Sequence, residues 1–454
     1  MRRTAIVTLL ISAAVAAALG LAACGGGGDT TSSSGEAQTF DPDKDYSLTM
    51  WSGFTGRELD VLDGIIGEFE KQNPNVSVDS LGSINDDKIV AALRGGNAPD
   101  VTLSFSTDNT GAFCSSGGWI DLNPYIERDH VAIDDFPQAV QDYTQYQGDR
   151  CAMPLLADVY GLYYNKDMFE AAGINSPPKT TSELDADAKK LTQRASDGSI
   201  EVAGFVPSFG FYENAPAHSA PQWDAQWQTA DGKSNLAGDP NWSDMLEWDK
   251  GLIDWYGADD LTRFQAGVGA EFSASNAFEV GKVAMMLDGE YRTAFIADEA
   301  PDLNYGTAPF PVADGQEDRY GAGYVTGSII GIPRNSSNQA AAWELVKFLT
   351  TDTDALVTLA NDLANVPTTP AAAHSPKLDL EPQFAPFIDI FNSPDTQTSP
   401  ITASGAANQE LFQSFIAKYQ DGEVDDLQSG LEDTDAQIDA QEENASGGGE
   451  GAVP

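Results

Sequence analysis

A regular alternation of strand-like and helix-like patterns near the start of the chain is the strongest constraint on its fold. Three strand patterns, at 48–51, 76–78 and 99–105, alternate with two amphipathic helical patterns, at 62–69 and 84–93. This βαβαβ order predicts parallel strands joined by right-handed crossovers, with ligands bound beyond the carboxyl ends of the strands. The loops at 52–57 and 105–111 are therefore expected to lie together at a cleft.

Length and charge limit the classes of protein to which the chain can belong. Its 454 residues exceed what one hydrophobic core usually supports, and 41% hydrophobic residues are enough for two domain-sized units. With 24 Lys and Arg against 70 Asp and Glu, the net charge is −46. A chain this acidic repels phosphate backbones, so nucleic acid is excluded as an expected partner.

The first residues have the pattern of an export signal. Arg2 and Arg3 precede an apolar run at 5–19, and Leu-Ala-Ala-Cys24 resembles the bacterial lipobox, in which the Cys becomes the lipidated first residue. We therefore expect a signal peptide at 1–23, with an ordinary signal peptide and a chance Cys as the alternative. The polar, Gly-rich segment that follows predicts a flexible tether at 24–46, and residues 443–454 predict a disordered tail.

The other two cysteines and the histidines carry little sign of metal chemistry. Cys114 and Cys151 are 37 residues apart, which is no metal-knuckle spacing, and export would allow them to oxidise. One disulfide is expected, and two buried thiols are the alternative. The three histidines are isolated from one another and from Cys or Glu at ligand spacing, so neither a metal site nor a cofactor is expected.

A series of motifs in one order carries a resemblance to a known family. They are Leu48–Trp51, Phe69–Pro74, Ala98–Val101, Gly118–Leu122, Tyr160–Phe169, Pro177–Thr180, Gly281–Gly289, Gly327–Pro333 and Asn365–Thr368. Together they resemble the extracellular sugar-binding proteins of ABC importers, the maltose-binding-protein class of solute-binding protein family 1. The resemblance covers about 47–440.

The resemblance implies an α/β, periplasmic-binding-protein-like fold. In such a fold two lobes each have a central, mostly parallel sheet flanked by helices, and the ligand binds in the groove between them. We expect lobe 1 to comprise 47–156 and 306–352, and lobe 2 to comprise 157–305 and 353–442. The chain would cross between the lobes around 155–160, 304–308 and 351–358.

The resemblance also implies ligand-binding residues. It points to the loop that contains Trp51, Ser52, Gly53, Phe54 and Arg57, to Phe105 and Asp108 after the third strand, to Asp158 seven residues before an Asn, and to Asp288, Glu290 and Tyr291. Tyr160, Tyr212 and Tyr324 complete the aromatic set. Glu290 adds a charge beside the aromatic residue, which leaves the size and polarity of the ligand open.

Tryptophans are the remaining aromatic candidates. Trp223 and Trp227 follow Tyr212 in a stretch that we interpret as irregular, where a groove role and core packing are equally compatible with the pattern. Trp248 and Trp255 recur at helical spacing within 242–256, which favours core packing. Trp51 ends a strand and is expected to be part core and part groove wall.

These features predict a lipid-anchored, monomeric receptor on the outer face of the cytoplasmic membrane. It would bind a mono- or oligosaccharide and deliver it to the transmembrane subunits of an ABC permease, without catalysis, because sugars offer apolar faces for aromatic rings and hydroxyls for carboxylates. A non-sugar solute is the first alternative. The second is a glycoside hydrolase, in which Asp288 and Glu290 would form the carboxylate pair.

Overall fold

The computed structural model describes residues 36–447 and shows a mixed α/β architecture. Its nine strands are β1 (Tyr46–Trp51), β2 (Val76–Leu81), β3 (Val101–Ser104), β4 (Met153–Asn165), β5 (Gln193–Arg194), β6 (Ile200–Phe205), β7 (Val283–Gly289), β8 (Tyr305–Ala308) and β9 (Val325–Gly331). The helices are α1 (Gly56–Gln72), α2 (Asp86–Gly95), α3 (Asn109–Ser115), α4 (Asn123–Asp129), α5 (Gln138–Tyr143), α6 (Lys166–Ala172), α7 (Thr181–Leu191), α8 (Pro216–Trp223), α9 (Pro240–Tyr256), α10 (Ala258–Ala266), α11 (Arg292–Glu299), α12 (Gln339–Thr351), α13 (Thr353–Leu363), α14 (Pro370–Ala373), α15 (Ala385–Phe391), α16 (Ala407–Gln420) and α17 (Leu427–Gly447).

The predicted βαβαβ unit is confirmed by β1, α1, β2, α2 and β3. Helix α1 buries the apolar face read from the sequence, Leu62, Ile65, Ile66 and Phe69. Asn85 caps α2 by accepting a hydrogen bond from the Lys88 amide, and Gly96 ends it at a φ of 65°, where a glycine is favoured. Strand β1 pairs in parallel with both β2 and β3. The loops that follow β1 and β3 therefore leave the same edge of the sheet.

One long strand connects the two parts of the sheet. The strand order is β2-β1-β3-β9-β4-β7-β6-β5, and β8 also pairs with β4. The first half of β4, through Val159, pairs with β9, whereas the second half, from Tyr160, pairs with β7 and β8. Strands β7, β8 and β9 are all antiparallel to β4, so the sheet is mixed. Within it, β1, β2 and β3 are parallel to one another, and β6, β7 and β8 also run in one common direction.

Strand pairing and helix packing divide the elements differently from the expected lobe boundaries at 306 and 353. Residues 306–308 of β8 pair with 162–164, in the second half of β4. Helix α13 packs on α1 and α12, beside the first part of the sheet. The lobe division itself stays a prediction.

Helix α9 buries a different face from the one that the sequence indicated. Trp242, Met245 and Leu252 are buried, but Trp255 is 40% exposed, with the Lys189 ammonium 5.8 Å from its ring centroid. The expectation of core packing is therefore wrong for Trp255. Trp248 is half-buried and lies 6.0 Å from the Trp223 ring.

The ends of the described range correct two predicted boundaries. Residues 443–447, which we expected in the disordered tail, belong to α17, because Glu442 anchors this helix by accepting hydrogen bonds from the amides of Ala403 and Ser404. In the expected tether, Phe40 stacks on Tyr46 at 5.3 Å. Residues 36–45 therefore contact the folded body. The signal peptide, Cys24, the first part of the tether and residues 448–454 lie outside the described residues.

Two further findings concern covalent and membrane structure. Cys114 and Cys151 form a disulfide, with their Cα atoms 5.7 Å apart, which confirms the expected pairing. Within 36–447, no helix combines the length and the apolar character needed to cross a membrane.

Candidate binding site

The site is built around a carboxylate cluster, which we define as Asp158, Glu290 and Asn365. Asp158 lies on β4 immediately before the strand changes partners. A two-way backbone bridge between Ala157 and Val366 brings the segment after α13 against this point. The Asn365 amide then donates to the Asp158 Oδ1 at 2.6 Å and to the Glu290 Oε1 at 3.0 Å.

Glu290 lies in the turn between β7 and α11, and its side chain is fully buried. Its second carboxyl oxygen accepts the Val159 amide at 2.6 Å. Burial, and then the nearby Asp158, raise the pKa of Glu290 well above its usual range. Burial, and then the charge of Glu213, raise the pKa of Asp158 to about 7. The cluster can therefore hold a proton near neutral pH, which lets it donate as well as accept hydrogen bonds.

An aromatic layer, consisting of Tyr160, His218 and Tyr324, lies next to this cluster. The Tyr160 and His218 rings stack with centroids 3.8 Å apart, and the Tyr324 ring lies 4.9 Å from His218. The hydroxyls of Tyr324 and Ser399 hydrogen bond at 2.8 Å. Burial lowers the pKa of His218, which favours a neutral ring. The layer is therefore a fixed and largely uncharged surface.

Tyr291 is linked to this layer through Glu213. The Tyr291 hydroxyl donates to the Glu213 carboxylate at 2.7 Å, and the Glu213 carbonyl lies 2.7 Å from the His218 Nδ1. The Tyr291 ring also covers Gly289, where an added Cβ would come within 2.3 Å of the ring. A glycine at 289 is therefore needed for this position of Tyr291.

The loop after β1 and the loop after β3 meet, as the parallel strands require. The Phe105 ring covers Gly53 and lies 5.2 Å from the buried Phe54 ring. Phe105 itself is 45% exposed, so one face of this pair is open to a ligand. Ser52 is fully buried, and its hydroxyl has no hydrogen-bond partner among the described residues.

Trp51, Arg57 and Asp108, three further ligand-binding candidates from these two loops, contact other side chains or backbone groups of the protein. The Lys88 ammonium lies 5.0 Å from the half-buried Trp51 ring. Arg57 is exposed and donates to the Asp362 carbonyl near the end of α13. The Asp108 carboxylate accepts from Gln409 of α16 at 2.9 Å, and burial raises the pKa of Asp108 to about 6.

Asp288 lies in a buried ion-pair network rather than beside Glu290. Its carboxylate accepts from the Arg292 Nε at 2.8 Å and from the Gly289 amide at 2.8 Å, and it is fully buried. The Arg292 guanidinium also faces Glu279 and Glu271, at 3.4 and 3.6 Å. The strand ends at Gly289, so the alternation that would place Asp288 and Glu290 on one side does not extend to Glu290. The two carboxyl groups therefore have separate partners, since Val159 and Asn365 bind the Glu290 carboxyl.

The two tryptophan candidates pack into a second core cluster. Trp223 is the last residue of α8 and is 8% exposed, so the interpretation of this stretch as irregular was wrong there. Pro216 at the start of α8 occupies a position where a proline is compatible with a helix. Trp227 packs on Trp242 and Phe412, with ring centroids 4.5 and 5.7 Å apart.

Sequence reasoning missed four residues that organise the site. Asn365 belongs to a motif that carries the family resemblance, but nothing in that motif shows that its amide bridges two carboxyls. Glu213 is adjacent to the candidate Tyr212 but has no motif of its own, and His218 has no potential metal ligand at a suitable spacing in the sequence. Gln409 has no local sequence signal. Some of these contacts join residues that are far apart in the chain, for example Asn365 and Asp158, and local sequence patterns do not indicate them.

The chemistry of the site suits a ligand with apolar C–H faces and several hydroxyl groups. Aromatic rings offer surfaces for the former, and carboxyl and amide groups offer partners for the latter. Within 36–447, no group of three His, Cys, Asp or Glu side chains is arranged to hold a metal ion.

A family model described as bacterial extracellular solute-binding protein matches residues 55–355, more than half of the chain. A protein of Brucella abortus whose name describes a binding protein is 32% identical over 209 residues, covering 44% of this chain and 47% of that protein. The match thus spans about half the length of that relative. The maltotriose-binding protein of Pyrococcus abyssi is 23% identical over 74% of this chain and 69% of its own.

A solved structure described as CpMnBP1 with mannotriose bound is similar to most of this chain. The TM-score is 0.75 and the identity 26%, and the match covers 87% of this chain and 100% of the other. The similarity confirms the expected fold class.

Proposed function

Because this chain belongs to the bacterial extracellular solute-binding protein family, we propose that it is the receptor of an ABC importer and binds a neutral carbohydrate. The observation that carries the proposal is that Asp158 of the carboxylate cluster and Tyr160 of the aromatic layer lie two residues apart on β4, where this strand changes partners. Sugar-binding relatives support the choice of ligand class.

The proposed role is capture and delivery without chemistry. The sugar would stack on Tyr291 and on the Tyr160 side of the aromatic layer, and its hydroxyls would bond to Asp158, Glu290 and Asn365. The two parts of the sheet would close around it by a hinge motion, with β4 as one of the connections. The closed receptor, acting as a monomer, would pass the sugar to the transmembrane permease.

We further propose that lipid on Cys24 holds the protein at the outer face of the cytoplasmic membrane. The lipobox-like sequence at 21–24 and the Gly-rich segment after it support this. Because residues 36–45 contact the folded body, residues 24–35 would act as the tether.

A thermal-shift screen tests the carbohydrate proposal. The purified protein would be melted with mannose, mannobiose, mannotriose, glucose, maltose and maltotriose, and with glutamate and sulfate as non-sugar controls. A ligand that binds only the folded state raises Tm with concentration. A rise with a sugar and none with the controls is expected. A response to glutamate or sulfate alone would refute the proposal.

A further inference from the structure

His218 lies in the middle of the aromatic layer and has a second ring nitrogen that the fold does not use. Its ring centroid lies 3.8 Å from that of Tyr160 and 4.9 Å from that of Tyr324. We propose that His218 is a specificity-determining residue, whose Nε2 accepts a hydrogen bond from one particular hydroxyl group of the saccharide. This inference rests on the proposed function.

A backbone contact determines which nitrogen of the His218 ring carries the hydrogen. The Nδ1 lies 2.7 Å from the Glu213 carbonyl oxygen. A carbonyl oxygen can only accept a hydrogen bond, so Nδ1 is the donor. In a neutral imidazole the other nitrogen is then an acceptor. The Nε2 of His218 therefore has a lone pair for a ligand, and Glu213 holds the ring in the orientation that presents it.

The acceptor role requires a neutral ring, and two features favour one. Burial lowers the pKa of His218 and outweighs the opposing effect of the Glu213 carboxylate. His218 is also the third residue of α8, and a positive charge is unfavourable in the first turn of a helix because the dipole is positive there. Protonation of Nε2, which would remove the lone pair, is therefore disfavoured.

Other polar groups nearby already have partners, whereas Nε2 does not. In the described part of the chain, the only hydrogen bond of the His218 ring is the one from Nδ1, and the side chain is 13% exposed. The Tyr324 hydroxyl bonds to Ser399 at 2.8 Å, and the Tyr291 hydroxyl bonds to Glu213 at 2.7 Å. His218 is thus an acceptor that a ligand can reach without breaking a contact of the protein.

The surroundings of His218 are the residues proposed to bind the sugar. Tyr160, on which the ring stacks, lies two residues from Asp158 on β4. Asp158 and Glu290 can hold a proton near neutral pH and so can donate, whereas the neutral His218 can only accept at Nε2. A site with both kinds of group can distinguish a hydroxyl that must donate from one that must accept.

The test measures binding of sugars in which one hydroxyl at a time is replaced. Calorimetry on the purified full chain would use mannose, mannobiose, glucose and maltose as parents. Each parent that binds is compared with its monodeoxy and monodeoxyfluoro analogues. Neither hydrogen nor fluorine can donate a hydrogen bond, so both replacements remove a bond to Nε2.

Three variants separate the role of Nε2 from that of the rest of the ring. His218→Asn keeps a donor near the position of Nδ1 and leaves no group at the position of Nε2. His218→Gln places an amide near the position of Nε2. His374→Asn is the matched control, because the His374 Nδ1 also lies near a backbone carbonyl oxygen, that of Pro370 at 2.8 Å, but on the exposed surface.

We expect one ring position at which both analogues bind the wild type about two- to tenfold more weakly than the parent, as for one lost hydrogen bond. At that position His218→Asn should bind the parent and both analogues equally, and it should still discriminate at the other positions. His218→Gln should recover part of the discrimination, and His374→Asn should retain all of it. Melts without ligand would measure the stability of each variant separately.

Two kinds of result would overturn the inference. If no single replacement weakens binding to the wild type, or if His218→Asn discriminates at every position as the wild type does, His218 does not determine specificity, while the proposed function stands. A histidine that only packs would lower Tm when it is replaced and leave the pattern of discrimination unchanged. If no saccharide binds at all, the proposed function fails and this inference fails with it.

Discussion

The Asn365 amide joins the Asp158 and Glu290 carboxyl groups, at 2.6 and 3.0 Å, across the point where β4 passes from one set of strands to the other. An amide nitrogen has two hydrogens, so it can serve both carboxyls at once. Without it, two acidic groups would face each other with less compensation in a buried place. Asn365 is therefore expected to hold the cluster in the arrangement that a ligand meets.

Replacing Asn365 by Ala should weaken both folding and binding. Loss of the two donated hydrogen bonds leaves buried acceptors unpaired, which costs about 1–3 kcal/mol of unfolding free energy for each such group. Urea unfolding would measure the stability, and calorimetry the affinity for the sugar found in the screen. Asn97→Ala, at an exposed amide on another segment, should change neither. Equal behaviour of the two variants would contradict this role for Asn365.

The raised pKa values predict a protein that is more stable in mild acid. The folded-state pKa of Asp158 is about 7 and that of Asp108 about 6, both above the ordinary 3.8. At a pH between the ordinary pKa and the folded-state pKa of each group, the folded state binds more protons than the unfolded state. The unfolding free energy therefore falls as pH rises from about 4 to 7. Melts should give a higher Tm at about pH 5 than at about pH 8, by about 2 °C or more.

Asp158→Asn tests the assignment of this pH dependence. The variant removes one of the titrating groups, so its Tm should depend less on pH and should exceed that of the wild type at the alkaline end. Asp379→Asn, at an exposed carboxylate, should leave the profile as it is. A profile unchanged by Asp158→Asn would show that other groups are responsible.

The buried ion pair of Asp288 with Arg292 is expected to stabilise the fold. Arg292→Met would leave the Asp288 and Glu279 carboxyls buried without their cation, a change that costs about 3–5 kcal/mol. Adding Asp288→Asn to that variant should restore part of the loss by removing one uncompensated charge. Lys233→Met breaks an exposed pair with Asp439 and should cost less than about 1 kcal/mol. Urea unfolding of all three variants would measure the differences, and similar losses for the buried and exposed pairs would refute the expectation.

The sequence was most informative where structure depends on near neighbours. The alternation at 48–105 predicted β1 to β3 because apolar periodicity and turn residues act over a few positions. It did not indicate that Asp288 and Glu290 have separate partners, because the rule of alternate sides holds only while a strand continues, and β7 ends at Gly289. It missed the role of Asn365 because that contact joins Asp158 on β4 to a residue 207 positions further on.

Anchoring through Cys24 is tested by Cys24→Ser. The variant should lose labelling by radioactive palmitate and leave the membrane fraction, because a serine offers no thiol for the lipid. The double change Cys114→Ser, Cys151→Ser removes the disulfide pair and should still be labelled, provided that it is exported. Retention of an unlabelled Cys24→Ser protein on the membrane would rule out the lipid anchor.

Tyr291 links the geometry of the site most directly to ligand affinity. If its ring stacks on a sugar face, Tyr291→Ala should lose about 0.5–1.5 kcal/mol of stacking plus the buried ring area, which together weaken binding at least about tenfold. Tyr291→Phe keeps the ring and loses only the hydrogen bond to Glu213, so it should retain most of the affinity. Calorimetry and melts on both variants separate this role from simple packing. A tyrosine that serves only the core would instead show a large fall in Tm for Tyr291→Ala with the affinity for sugar preserved.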